Sequence, residues 1–248
     1  MRTSNPVFGS RWERFARQPF AVDAGTMTVE GTAAKTLLLL FLVLIGAVVV
    51  WYVMFTLGNP SLVLLLMMVG LLGGLVVGFA TIFVPGYAHV TSPVYALLEG
   101  LILGGISALF ETVYQGILPQ AVALTFGVFF LVLVLYRVRI LRATPRFVKG
   151  IVAATGAIMI LYFIGLLLVL FGVPVFFFYS SDPLSIAFSV FVVAIAALNF
   201  VLDFAFIEEG ANHGAPKHME WYAAFGLLVT LVWLYIEVLR LLAKLRSR

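Results

Sequence analysis

The sequence predicts an all-α polytopic membrane protein with seven transmembrane helices. Three observations predict it. Apolar residues make up 63% of the chain and charged residues 10%, where soluble domains hold about half and about a quarter. Seven runs are apolar over the roughly 20 residues that a helix needs to cross a hydrocarbon core. Each run is closed by glycine, proline or polar residues. So little polar surface cannot cover a soluble core. Barrel strands would be shorter and would alternate in polarity, and these runs do neither.

The spans follow in order. The first covers 36–57 and ends at Gly58-Asn59-Pro60. The second covers 61–83 and ends at Pro85-Gly86. The third covers 93–114 and the fourth 119–136, with Gly116 and Pro119 at the turn between them. The fifth covers 150–172, after a basic loop that holds Pro145. The sixth covers 183–206, with Pro174 and Pro183 in the loop before it. The seventh covers 221–242. Proline lacks the N–H that a helix interior needs, and glycine tolerates positive φ, so helices stop at these residues.

Residues 36–246 thus read as one transmembrane domain. Residues 1–35 read as a polar cytoplasmic tail, basic and aromatic through Arg11, Trp12, Arg14, Phe15, Arg17 and Phe20. The first run is too long, and starts too late, for a cleaved signal peptide.

Lys and Arg set orientation. With the N-terminus inside, Arg2, Arg11, Arg14, Arg17, Lys35, Arg137, Arg139, Arg142, Arg146, Lys149 and Lys217 all fall on the inner side. Arg240, Lys244, Arg246 and Arg248 fall outside, in the C-terminal tail, against the rule. The N-terminus is therefore expected in the cytoplasm of a bacterial-type inner membrane.

Composition also excludes functions. There is no cysteine, hence no disulfide, thiolate metal site or cysteine nucleophile. His89, His213 and His218 all lie outside the apolar runs, which excludes a histidine cage or haem pair within the membrane. The net charge of +4 sits where topology signals sit and suggests no nucleic-acid partner. No nucleophile–base pair is visible in the spans, so an enzyme is not expected. Lys244, the only candidate for a lysine in the last span, lies past its end.

Small residues recur at intervals of four on two helices: Gly70, Gly74 and Gly78 on the second, Gly100, Gly104 and Ala108 on the third. Lipid gives helices no hydrophobic drive to associate, so such stripes mark close packing.

Charges inside lipid are costly and point to function. Glu99, Glu111, Asp203 and Glu237 fall within the spans, with Arg240 as the nearby cation. They cannot all be neutralised by ion pairs, so protonation, a bound cation or water must compensate. At a rise of about 1.5 Å per residue, Glu99 lies about 9 Å and Asp203 about 5 Å from the cytosolic ends of their helices. They are expected to share a level there.

Glu111 lies near a helix end, within reach of interfacial water. On the last helix Trp233, Glu237, Arg240 and Lys244 form one face, and Glu237 and Arg240 are spaced to pair. On the sixth, Asn199 and Asp203 share a face. Carboxylates of Asp203 and Glu237 looking into one bundle would offer oxygen ligands to a hard cation such as Ca²⁺. Interacting carboxylates titrate as a unit, which would make the pair a pH sensor. No tightly bound cofactor is expected beyond such a Ca²⁺.

The run Asn199-Phe-Val-Leu-Asp-Phe-Ala-Phe-Ile207, followed by Trp233-Leu-Tyr-Ile-Glu-Val-Leu-Arg-Leu-Leu242, resembles the end of the Bax inhibitor family. This is the transmembrane Bax inhibitor motif group, which includes the YccA-like bacterial proteins. Gly104-Gly-Ile-Ser-Ala-Leu-Phe-Glu111 is similar to the family's third span. The resemblance implies a pH-sensitive calcium leak. Its sensor would be Asp203 and Glu237, the latter in place of the family's Asp, and its last helix would be enclosed by the other six. It equally implies, for some bacterial members, a regulator that binds a membrane-anchored ATP-dependent protease. A proton-coupled cation exchanger would use the same carboxylates.

Two departures stand out. Residues 208–222 read as an insertion between the two acids. The family's cationic latch near the second-to-third connection has no Lys or Arg counterpart between 36 and 136, which leaves His89 or Arg240 for that role.

Overall fold

The computed structural model describes residues 25–172 and 180–247. The tail residues from Arg2 to Phe20, Pro174, the run Phe176-Phe177-Phe178 and Arg248 lie outside them. The described chain forms seven long helices: α1 Val29–Phe55, α2 Pro60–Phe83, α3 Ala88–Val113, α4 Ile117–Arg137, α5 Pro145–Leu170, α6 Pro183–Asn212 and α7 Met219–Arg246. A 3-10 turn, Pro85–Tyr87, leads into α3. All seven are long and apolar enough to span a membrane. Leu37, Phe41, Val76, Phe83 and Leu170 are among many large apolar side chains left exposed along them, as lipid-facing surface requires. The chain is an integral membrane protein.

Local chemistry explains the helix starts. Thr28 accepts a hydrogen bond from the Gly31 N–H, Asn59 from Leu62, and Thr144 from Phe147. Each occupies an orphan donor of a first turn. Pro60 and Pro145 take the first helical position, where the missing N–H costs nothing.

Several boundaries differ from expectation. α1 begins at Val29, seven residues before the expected start, because Thr28 caps it there. α3 begins at Ala88, so Pro93 lies inside it rather than at its start. It forfeits one backbone bond there, the one its nitrogen would make to the His89 carbonyl. α6 continues to Asn212 and ends where Gly214 adopts φ +63° and Ala215 N–H bonds back to Gly210. The expected insertion at 208–222 is therefore mostly the last turns of α6 and the first turn of α7. α7 runs to Arg246, so Lys244 lies within it.

The helices form two compact units. The first holds the described residues up to Gly104 together with Phe206–Gly226; the second holds Gly105–Ala205 and the chain from Leu227 onward.

In the first unit α1 and α2 meet through Val50, Val53 and Val63, and α3 packs against both. A Cβ built on Gly100 would lie 2.3 Å from the Val43 carbonyl oxygen and 3.0 Å from Gly46 Cα; one on Gly104 would lie 2.6 Å from Ala47 Cα. The glycines of α2 face other parts of α3, with Gly70 against the Leu98 carbonyl and Gly78 against Tyr95. The two stripes thus do mark tight packing, but not against one another. The turn after α6 is tied to the start of α1. Met27 N–H donates to the Ala215 carbonyl, and Thr26 bridges Pro216.

In the second unit Ile151, Ile158, Val192 and Ile195 form a core between α5 and α6, against which Trp233 packs. Phe129 of α4 meets Phe200 and Phe204 edge-on, at 5.1 and 5.7 Å between ring centres. Among the described residues, α7 has the largest buried share of the seven helices.

Candidate functional site

The second unit carries a ladder of polar groups along α5, α6 and α7. On α6, Ser185, Ser189, Asn199 and Asp203 follow helical spacing, as do Thr230, Trp233, Glu237, Arg240 and Lys244 on α7. Thr155 and Tyr162, two turns apart on α5, contribute a third side.

The first rung joins Asp203 to the Thr230 hydroxyl. The other carboxylate oxygen of Asp203, Oδ2, is buried and has no partner. One turn back on α6, the Asn199 amide donates to Thr155 Oγ1 at 2.9 Å and to the Ile195 carbonyl at 2.8 Å. Trp233, one turn beyond Thr230, carries a buried indole N–H that is also without a partner. Buried polar atoms are almost always satisfied. A lone acceptor and a lone donor on the same two helices therefore mark a place built for something polar and mobile, such as water or an ion.

The second rung is a closed triad. Glu237, 1% exposed, accepts from Arg240 at 3.1 and 3.2 Å and from the Tyr162 hydroxyl at 3.0 Å. Arg240 also donates to the Tyr162 oxygen at 2.8 Å and lies over its ring, 5.0 Å from the centroid. The expected Glu237–Arg240 pair is thus present.

The third rung is Lys244. Its ammonium donates to Ser185 Oγ at 2.7 Å, Ser189 Oγ at 2.9 Å and the Ser185 carbonyl at 3.4 Å.

The structure does not join Asp203 and Glu237 into one carboxylate pair. The residue of α7 that meets Asp203 is Thr230, seven positions and about 10 Å before Glu237. Asn199 shares Asp203's face as expected. A Ca²⁺ cage shared by the two acids is not what these positions make. Among the described residues no three His, Asp or Glu side chains come together to hold a metal.

Glu111 has different work. It accepts from the Gly116 N–H at 2.5 Å and the Leu118 N–H at 3.1 Å, capping the start of α4. Arg246 holds the carbonyls of the same turn, Gln115 at 2.7 Å and Tyr114 at 3.3 Å. That turn is fastened by one charge of each sign.

Glu99 belongs to the first unit. It is buried, and the Tyr95 hydroxyl one turn earlier bonds to it. His89 is exposed and near His218; burial, and then the His89 charge, hold the His218 imidazole below its ordinary pKa. Arg240 is bound to Glu237 and Tyr162.

Thr230, Tyr162, Thr155 and the two serines escaped the sequence reading, which had Lys244 on the face of Glu237 but no partner for it. The i, i+4 spacing of Ser185 and Ser189 was a signal. Tyr162 gave none, because one hydroxyl in an apolar run reads as core.

The chain matches a family model described as Bax inhibitor 1 like over residues 5–247. No curated protein matches it. No solved structure matches it.

Proposed function

Because the chain belongs to the Bax inhibitor 1 like family, we propose that it is a pH-sensitive cation leak, with Ca²⁺ as its ion, and that the ladder of the second unit lines the path. Its setting on this reading is a bacterial-type inner membrane with the N-terminus in the cytoplasm.

The observation that carries the reading is Asp203. It is an intramembrane carboxylate with a buried, unpartnered oxygen, a hydroxyl on the other oxygen and no cation in contact among the described residues. An ion is conducted only if its sites attract it enough to enter and hold it weakly enough to leave. One carboxylate with a hydroxyl meets that condition better than a closed cage of carboxylates. Proton uptake by Asp203 removes the path's free negative charge, which couples passage to pH. Glu237 supports the path from the side, since its charge is already neutralised by Arg240.

The test is Ca²⁺ entry into liposomes containing the purified protein, from pH 6 to 8. Wild type is expected to leak with a pH-dependent rate. Asp203→Asn, uncharged at every pH, is expected to flatten that dependence. Folded wild type without flux at any pH would overturn the leak and favour the family's partner-binding role. Flux that requires an opposing proton gradient would indicate exchange.

A further inference from the structure

Lys244 is 4% exposed, and the oxygens that hold it, on Ser185 and Ser189, belong to residues 0% and 2% exposed. An ammonium is a compact, strongly hydrated charge. Burying one is costly and is normally offset by a carboxylate. Among the described residues its three hydrogen-bond acceptors are all uncharged, two hydroxyls and a carbonyl. Glu237 and Arg240 act on it only through space. From the last turn of α7, whose dipole favours a cation, its ammonium reaches the first turns of α6, whose dipole opposes one.

An anchor for the end of α7 would not need a charge, since a neutral side chain would hold the two helices together without the cost of desolvating an ammonium. A serine–lysine nucleophile would need a substrate to reach the serines, and their burial shuts it out.

What the three oxygens do resemble is a way-station for a hard cation, which is bound by hydroxyl and carbonyl oxygens. The ammonium occupies that station. It lies two turns beyond Glu237 on the same face of α7, at the end of the ladder opposite Asp203. We infer that Lys244 is a tethered cation that plugs the ladder: it fills the oxygen site a passing cation would use and repels that cation by its fixed charge. This inference rests on the cation-leak reading and adds a residue that limits it.

The test compares Ca²⁺ entry into indicator-loaded liposomes for wild type, Lys244→Met, Lys244→Arg, a Ser185→Ala/Ser189→Ala double variant and Asp203→Asn, each checked for folding by thermal unfolding. Reversal potentials for Ca²⁺ against chloride are recorded alongside. Lys244→Met is expected to raise Ca²⁺ flux by roughly tenfold, the weight of one fixed charge on a poorly screened path. Cation selectivity is expected to persist, and Lys244→Arg to stay near wild type. The serine variant keeps the charge but loosens its seat, and is expected to raise flux as well. It decides the matter if Lys244→Met does not fold.

Wild-type flux that Asp203→Asn alters but neither the Lys244→Met nor the serine variant raises would overturn the plug and leave the leak standing. Raised flux with lost cation selectivity would mean a damaged bundle and would also overturn it. No flux in wild type, Lys244→Met or the serine variant would overturn the leak itself.

Discussion

Arg240 and Glu237 do not share their burial equally. The arginine side chain keeps 30% exposure and the glutamate 2%. When one partner of a buried pair is removed, the cost is set by what is left unpaired. Glu237→Gln leaves an arginine that can still reach polar surroundings, and the amide can still accept from Tyr162. Arg240→Met leaves a buried carboxylate with one hydroxyl donor. We expect Arg240→Met to cost about 3 kcal/mol or more and Glu237→Gln about 1 kcal/mol, measured by thermal unfolding in detergent. Equal losses would mean that the pair contributes packing rather than charge compensation. The pairing itself was legible in the sequence, because it is an i, i+3 contact within one helix. The Tyr162 contribution was not, because no spacing rule links α5 to α7.

At the scale of elements, the glycines separate into those that let helices meet and those that do not. Gly100 and Gly46 bring α1 and α3 to backbone contact, while a Cβ on Gly127 of α4 would meet nothing within 4 Å. Gly100→Ala must push the two helices apart, since the obstructing atoms are backbone. It should destabilise by about 1–3 kcal/mol, the usual cost of overpacking. Gly127→Ala should be neutral or stabilising by up to about 1 kcal/mol through helix propensity. Melting temperatures of the two variants in one detergent would check this, and a Gly100→Ala melt at wild-type temperature would count against the close approach. The stripes could be read from the sequence as contact surfaces. Their partners could not: Gly46, which meets Gly100, stands outside any stripe.

For the whole molecule, the basic C-terminus was the point of conflict. With the N-terminus inside, seven crossings would place it outside, where Lys and Arg are less common than within. Among the described residues, three of these charges are bound to the protein. Arg240 is bound to Glu237 and Tyr162, Lys244 to two serines, and Arg246 to the turn after α3 and to Gln120. Charges committed to protein oxygens are a weak signal beside those of the N-terminal tail and the 137–149 loop. We expect tags at the two ends to label from opposite faces of sealed vesicles, the N-terminal one from the cytoplasmic side. Labelling of both from one face would refute the odd number of crossings.

The solvent, the helix count and most helix limits could be read from the order of residues alone. These follow from apolar run length and from local breakers such as Gly58-Asn59-Pro60, and neither needs a neighbour in space. The same order also showed that Asp203 and Glu237 lie inside lipid, because depth is a matter of position along a helix. What each acid touches emerged from the fold. Asp203 meets Thr230, Glu237 meets Arg240 and Tyr162, and Glu111 caps a turn. The rotation and register of one helix against another set those contacts. They arise from side-chain fit summed over whole interfaces, which leaves no local trace in the order of residues.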